Sequence, residues 1–273
     1  LNVLNNKVLN ILENSNIYTS NIKNTKKTLF ALITGIDINK PTTILENISN
    51  YENEEKTKNI AFTFSKNEIS TSSDPLIYIY NTHQTEEYVG NDITLTPTVL
   101  TGAYYLQQQL ENLGIKTLVE DASIPKILED NNWNYTQSYK ASRINLEKIK
   151  NDYPSIKIFI DFHRDAVSKK LSTVTINDKD YAKILFVIGK EHENYLKNLE
   201  FTNNFNNIIE NSYPTLTKGV LQKAGPGVNG IYNQDISYNV ILMEVGGSEN
   251  TIEEVTNTLD LIAPLIKEAI NGY

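Results

Sequence analysis

The chain has 273 residues, 40% of them hydrophobic, no cysteine and a formal net charge of −8. That length fits one large domain, or one domain with a smaller appendage. The lack of cysteine excludes disulfides, cysteine-ligated zinc and thiol nucleophiles. The acidic balance argues against a nucleic-acid partner and against charge-driven docking on an anionic membrane.

Residues 1 to about 38 read as helical, with Leu4, Val8, Ile11 and Leu12 at helical spacing and Leu29, Ala31, Leu32 and Ile33 in a second segment. The strongest apolar run, Thr28 to Ile36, is far short of the roughly 20 residues that a membrane span needs. The chain starts at Leu1 and not at Met, which is compatible with an upstream signal or anchor having been removed. From Glu46 to Ser73 the composition is polar and charged, with one short strand expected at Ile60–Phe64. The expected division is therefore 1–73, a helical and linker region, and 74–273, a catalytic domain.

Beyond Ser73 the pattern changes. Leu76–Tyr80 is a short continuous apolar run, as buried parallel strands are. Pro97 suits the first position of a helix that runs through Leu106 and Leu110 to a cap at Gly114, and Ile115–Val119 is the next strand. Asp130–Thr136 reads as a loop, Tyr139 to Ile149 as a helix ending before Pro154, and Ile156–Phe162 as a strand. Asp165–Asp180 is polar, a hairpin or an excursion. Ile184–Ile188 is a buried strand, His192–Ile209 a helix, and Lys223–Asp235 a Gly-rich loop without the signature of a phosphate loop. Val240–Val245 is the last strand. Asn250 to Glu253 resembles a capping box for a final helix through Val255, Leu259, Ile262 and Ile266. The sum is an α/β fold, a mostly parallel sheet with helices on both faces, carrying a helical N-terminal appendage.

Three of these strands end in chemistry. His83 and Glu86 follow the first, Asp161, His163, Arg164 and Asp165 close the Ile156–Phe162 strand, and Glu244 lies near the end of the last. In open α/β sheets such strand ends share a crevice. A catalytic zinc site takes three protein ligands from His and carboxylates and leaves a fourth position for water. Hence His83, Glu86 and His163 are expected as Zn2+ ligands and Glu244 as general base and acid. Glu87 is the rival to Glu86. Asp161 and Asp165 are candidates to hold the His163 imidazole, and Arg164 to polarise the substrate carbonyl. The plainer readings are a structural histidine at a strand end, an Asp161–Arg164 ion pair, and a purely structural His192.

The segments Thr82–Glu86, Ile160–Asp165, Tyr232–Asp235 and Glu244–Thr251 resemble, in order and spacing, those of the stage II sporulation protein P family. The resemblance covers about residue 75 to the end. It departs at Asn81, where a second His is frequent, and at Glu87, where a small residue is frequent. It implies a zinc-dependent N-acetylmuramoyl-L-alanine amidase, with endopeptidase activity on peptide cross-links as well. By position, His83, Glu86 and His163 match its metal ligands and Glu244 its catalytic glutamate. It also implies peptidoglycan as substrate, sporulation proteins D and M as partners, and a role in forespore engulfment. The expected location is outside the cytoplasm at the septum or engulfing membrane, held by an N-terminal anchor that this chain lacks. The alternatives are a non-catalytic peptidoglycan-binding or scaffold module, and a metal-free glycan-cleaving enzyme working through Asp161 and Glu244.

Overall fold

The structure, a computed structural model, describes residues 74–90 and 96–271. The boundary expected near Ser73, the N-terminal helical segments and the Ile60–Phe64 strand lie outside the described residues. Strand β1 (Ile77–Tyr80) is followed by helix α1 (Val99–Asn112) and strand β2 (Thr117–Val119). Helices α2 (Ile124–Asp130) and α3 (Ser138–Asp152) flank a single 3-10 turn at Tyr135–Gln137 and lead to β3 (Ile158–Asp165). A short helix α4 (Lys169–Ser172) precedes the hairpin of β4 (Thr173–Ile176) and β5 (Lys179–Ala182). Then come β6 (Ile184–Gly189), α5 (Tyr195–Ser212), β7 (Thr217–Lys223), β8 (Val240–Gly247) and α6 (Ile252–Asn271).

Six strands form one sheet in the order β2-β1-β3-β8-β6-β7. The first four run parallel, while β6 and β7 pair parallel to each other and antiparallel to β8. Alternation along each strand sends successive side chains to opposite faces. Ile77, Ile79, Ile160, Phe162 and Met243 go to one face, under residues of α1, α5 and α6 such as Leu106, Phe205 and Leu259. Tyr78, Tyr80 and Phe159 go to the other, under Leu146 of α3. The chain thus leaves β1 through α1 to β2, then returns through α3 on the opposite face to β3, on the far side of β1. That reversal opens a crevice at the carboxyl ends of β1 and β3.

The strands hidden on both faces match their expected positions closely, because they are nearly continuous apolar runs. The polar excursion after Asp165 contains the β4–β5 hairpin. Helix α2, the one-turn helix α4 and strand β7 are not expected from the sequence pattern. Helix α2 is announced by Ser123, whose hydroxyl accepts from the Lys126 N–H, and by Pro125 in its first turn. Strand β7 lies at the sheet edge and is half exposed, with Lys218, Gln222 and Lys223 in place of an apolar run; charged residues on edge strands discourage further pairing.

Other readings shift by one to three residues. Pro97 precedes the N-cap, which is Thr98, paired with Thr101 in a capping box. Helix α5 starts at Tyr195, not at His192. The final capping box is Thr251–Glu254 in place of Asn250–Glu253. The Thr251 hydroxyl accepts from the Glu254 N–H at 3.2 Å, and the Glu254 carboxylate accepts from the Thr251 N–H at 2.9 Å. Asn250 is committed elsewhere: its Oδ1 accepts from the Gly247 N–H at 2.7 Å, closing the turn after β8. Thr251→Ala is expected to cost about 1 kcal/mol of stability, and Glu253→Ala less than about 0.5 kcal/mol, as read by chemical denaturation.

Candidate metal centre

The turn after β1, the carboxyl-terminal half of β3 and Glu244 of β8 build the site. After Tyr80 the chain makes a tight turn in which the Glu86 N–H donates to the His83 carbonyl at 3.1 Å. This turn is held down by Asp161 of β3, which is fully buried. Asp161 accepts from the Thr82 N–H at 2.9 Å and from the Thr82 hydroxyl at 2.8 Å. The Asn81 amide donates to the Phe162 carbonyl at 2.6 Å, tying the same segment to β3 again. His83 is thereby delivered beside His163, with ring centroids 5.3 Å apart and the planes nearly perpendicular.

His163 is 3% exposed and lies between two carboxylates. Its Nε2 is 2.9 Å from Asp161 Oδ1, though out of line for a hydrogen bond, and its Nδ1 is 3.4 Å from Glu86 Oε2. Burial alone would lower the pKa of this imidazole. The adjacent charges of Asp161 and Glu86 outweigh burial and hold it well above the usual value. His83 goes the other way, lowered first by burial and then by His163. Glu244 is the register partner of His163 on β8, so the two side chains leave the same face of adjacent strands. Burial, reinforced by Glu86 and Asp165, raises the Glu244 carboxyl to about 7 against the opposing pull of His163.

Glu86, and not Glu87, faces the histidines. The Glu86 carboxylate also accepts from the Arg164 N–H at 3.1 Å. Glu87 has an exposed side chain and contributes its backbone carbonyl, which accepts from Arg164 Nε at 3.1 Å. A second guanidinium nitrogen donates to the Asp165 carbonyl at 3.3 Å. Arg164 therefore pins the 83–87 turn and does not pair with Asp161. Asp165 does not reach His163. The β3–β8 register shifts between His163 and Asp165, and the break in alternation sends the Asp165 carboxylate to Lys218 Nζ at 2.8 Å. His192 stands apart from this cluster, in the turn before α5.

Whether the cluster suits a metal can be judged from its unsatisfied atoms. His83 Nδ1, His163 Nε2 and Glu244 Oε2 are buried without a hydrogen-bond partner, and such atoms call for a ligand, ion or water to complete them. Two imidazoles and a carboxylate are a donor set that zinc accepts, and Asp161 beside Nε2 is placed as the outer partner of a ligating histidine. The donors are adjacent and not yet convergent: among the described residues no three such side chains form a closed metal-binding group. The residues fit the ion in kind, with Glu86 still engaged by the Arg164 N–H.

Aromatic rings wall the cluster on one side, a feature missed in reading residues 130–136 as a loop. Tyr135 stacks on His83 at 4.7 Å, and Tyr139 meets His83 edge-on at 5.6 Å. Tyr232 packs edge-on against Tyr139 at 5.4 Å. The Tyr232–Asp235 segment supports this wall. Asn233 donates to the Tyr139 carbonyl, Gln234 accepts from the Gly189 N–H at the end of β6, and Asp235 pairs with Arg143 at 2.9 Å.

The family described as Stage II sporulation protein P (SpoIIP) matches residues 6–267. The stage II sporulation protein P of Bacillus subtilis (strain 168) is 32% identical over 209 residues, which is 73% of this chain and 52% of that protein. The chain thus spans about half the length of the curated relative it matches. Among solved structures, the CwlD amidase from Clostridioides difficile, in complex with the GerS lipoprotein, is 15% identical with a TM-score of 0.47, covering 72% of this chain and 98% of that one. An N-acetylmuramoyl-L-alanine amidase from Clostridium difficile 630 is 14% identical with a TM-score of 0.45, covering 74% of this chain and 97% of that one.

Proposed function

The chain belongs to the stage II sporulation protein P family, and from that premise we propose that it is a zinc-dependent peptidoglycan hydrolase. It cuts the amide between N-acetylmuramic acid and the first L-alanine of the stem peptide, and stem-peptide cross-links as a second activity. The observation that carries this reading is the meeting of His83, Glu86, His163 and Glu244 where three strands come together, with three buried polar atoms of this group left without hydrogen-bond partners. A scaffold module would have no need to bury those groups, since an unpartnered buried polar atom costs about 1–3 kcal/mol.

His83, Glu86 and His163 would hold the zinc, which when bound supplies Lewis acidity and lowers the pKa of a water to about 7. The chain's own residues do the rest. Asp161 holds the Thr82 backbone and hydroxyl by hydrogen bonds and lies 2.9 Å from the His163 ring, so it would keep both histidines in place as substrate enters. Glu244 accepts the proton of the attacking water and passes it to the leaving nitrogen as the C–N bond breaks. Burial holds the Glu244 carboxyl above the usual carboxylate range, which suits a group that must take a proton and give it back. The products are the lactyl carboxylic acid and the free amine of L-alanine. Arg164 Nη2 makes no hydrogen bond to the protein among the described residues and is the group that would polarise the substrate carbonyl. The site is proposed to act outside the cytoplasm in forespore engulfment, alongside sporulation proteins D and M.

Digestion of purified peptidoglycan should release free stem peptides, and release of none by the intact chain would reject the reading. The two adjacent glutamates offer a sharper comparison. Glu86→Gln is expected to lower zinc affinity and cleavage at least about 10-fold, whereas Glu87→Gln should stay within about twofold, because its side chain is exposed and only its carbonyl is used. Zinc titration and a cleavage assay on both variants decide between them.

A further inference from the structure

Tyr135 has an unusual combination of properties for a surface aromatic. Its ring stacks on His83 at 4.7 Å, yet the residue is 56% exposed. One ring face lies against a proposed metal ligand and the other is open to solvent. The turn that presents it is built rigidly. Asn134 and Gln137 form a capping box around Tyr135–Gln137, and Asn134 Oδ1 accepts from both the N–H and the hydroxyl of Thr136. The Ser138 hydroxyl donates back to the Tyr135 carbonyl at 2.7 Å. A loop that served only to connect α2 and α3 would not need this set of bonds. The neighbouring Trp133 is already covered by its own lysine, Lys140 Nζ lying 3.8 Å from the ring centre, so the free aromatic face belongs to Tyr135.

We propose that Tyr135 is the glycan platform of the site, stacking its open face against a pyranose ring of the peptidoglycan strand next to the amide being cut. This rests on the hydrolase reading above and names the side on which the sugar lies. A flat, neutral ring matches the C–H face of a pyranose. The stem peptide beyond the amide begins with alanine and an acidic residue and offers no such face. Tyrosine supplies this contact at small entropic cost, with few rotatable bonds to fix. The chemistry needs the reacting carbonyl held within a few tenths of an ångström, and a platform abutting His83 registers the sugar directly against the metal ligands.

The test uses peptide-free glycan strands and the full chain carrying Glu244→Gln, so that binding is read without turnover. Adding Tyr135→Ala should weaken glycan binding about 3–10-fold, the value of one aromatic contact, and adding Tyr135→Phe should leave it unchanged. In the chain with Glu244 intact, Tyr135→Ala should raise KM by a similar factor, with kcat and bound zinc held. Equal glycan binding by the Ala variant overturns the platform, as does loss in the Phe variant, which would assign the role to the hydroxyl. A fall in bound zinc with KM unchanged also overturns it, making the ring a prop for His83. If the intact chain cleaves nothing, the hydrolase reading fails while the glycan-binding arm can still be read. If it cleaves and Tyr135→Ala behaves as wild type, the platform alone fails.

Discussion

Glu244→Gln is expected to lower peptidoglycan cleavage by about 10²–10⁴-fold, the range that one general acid–base group supplies. The change is isosteric, so it removes the proton-accepting carboxylate and little else. The strand around it, Val240–Gly247, is buried on both sides of this one position, and the Glu244 Oε2 has no protein partner to lose. Stability should hold or rise, because burial already disfavours the ionised form and the neutral amide avoids that cost. Zinc should remain bound, since the proposed ligands lie on other strands. The informative result is therefore a combination: cleavage lost, thermal midpoint kept, metal kept. Cleavage within a few-fold of wild type would remove Glu244 from the chemistry.

His163→Ala is expected to abolish both zinc binding and cleavage. This imidazole lies against both Asp161 and Glu86. Its removal deletes a proposed ligand and leaves the Asp161 and Glu86 carboxylates without the ring that lies between them. Asp161 retains its two bonds from Thr82, so the 83–87 turn should survive, and circular dichroism should show a folded chain. Asp161→Asn makes the graded comparison. It keeps the shape but weakens the hold on the ring, and a loss of about 10–100-fold in metal affinity or activity is expected for such an outer partner. Equal losses in the two variants would mean that the cluster works by folding the strand ends and not by holding an ion.

The parts of this molecule that could be read from sequence are those where one physical requirement dominates. A strand buried on both faces must be apolar throughout, and Ile77–Tyr80, Ile158–Phe162 and Val240–Val245 stand out for that reason. The candidates His83, Glu86, His163 and Glu244 were legible because each follows or interrupts such a run, where a charged or imidazole side chain stands out against apolar neighbours. Details that depend on exact register were not. Asp161 and Asp165 are equivalent by alternation, and only the shift in pairing after His163 separates the one that touches the ring from the one that pairs with Lys218. Glu253 and Glu254 are likewise equivalent until the helix start is fixed by Thr251. Strand β7 is an edge with mixed polarity, and its pattern of Thr, Lys, Gly and Gln matches loop composition as well as strand. Tyr135 was hidden in a polar segment whose fold depends on a cap made by Asn134, a residue as common in loops as at helix starts.

Zinc content of the purified full chain, measured together with digestion of purified peptidoglycan with and without a chelator, tests the proposed centre most directly. The expected result is about one zinc per chain, release of free stem peptides, arrest by the chelator and recovery when zinc is restored. Cleavage that persists undiminished after the metal is stripped, or that yields new reducing sugar ends in place of free stem peptides, would contradict it.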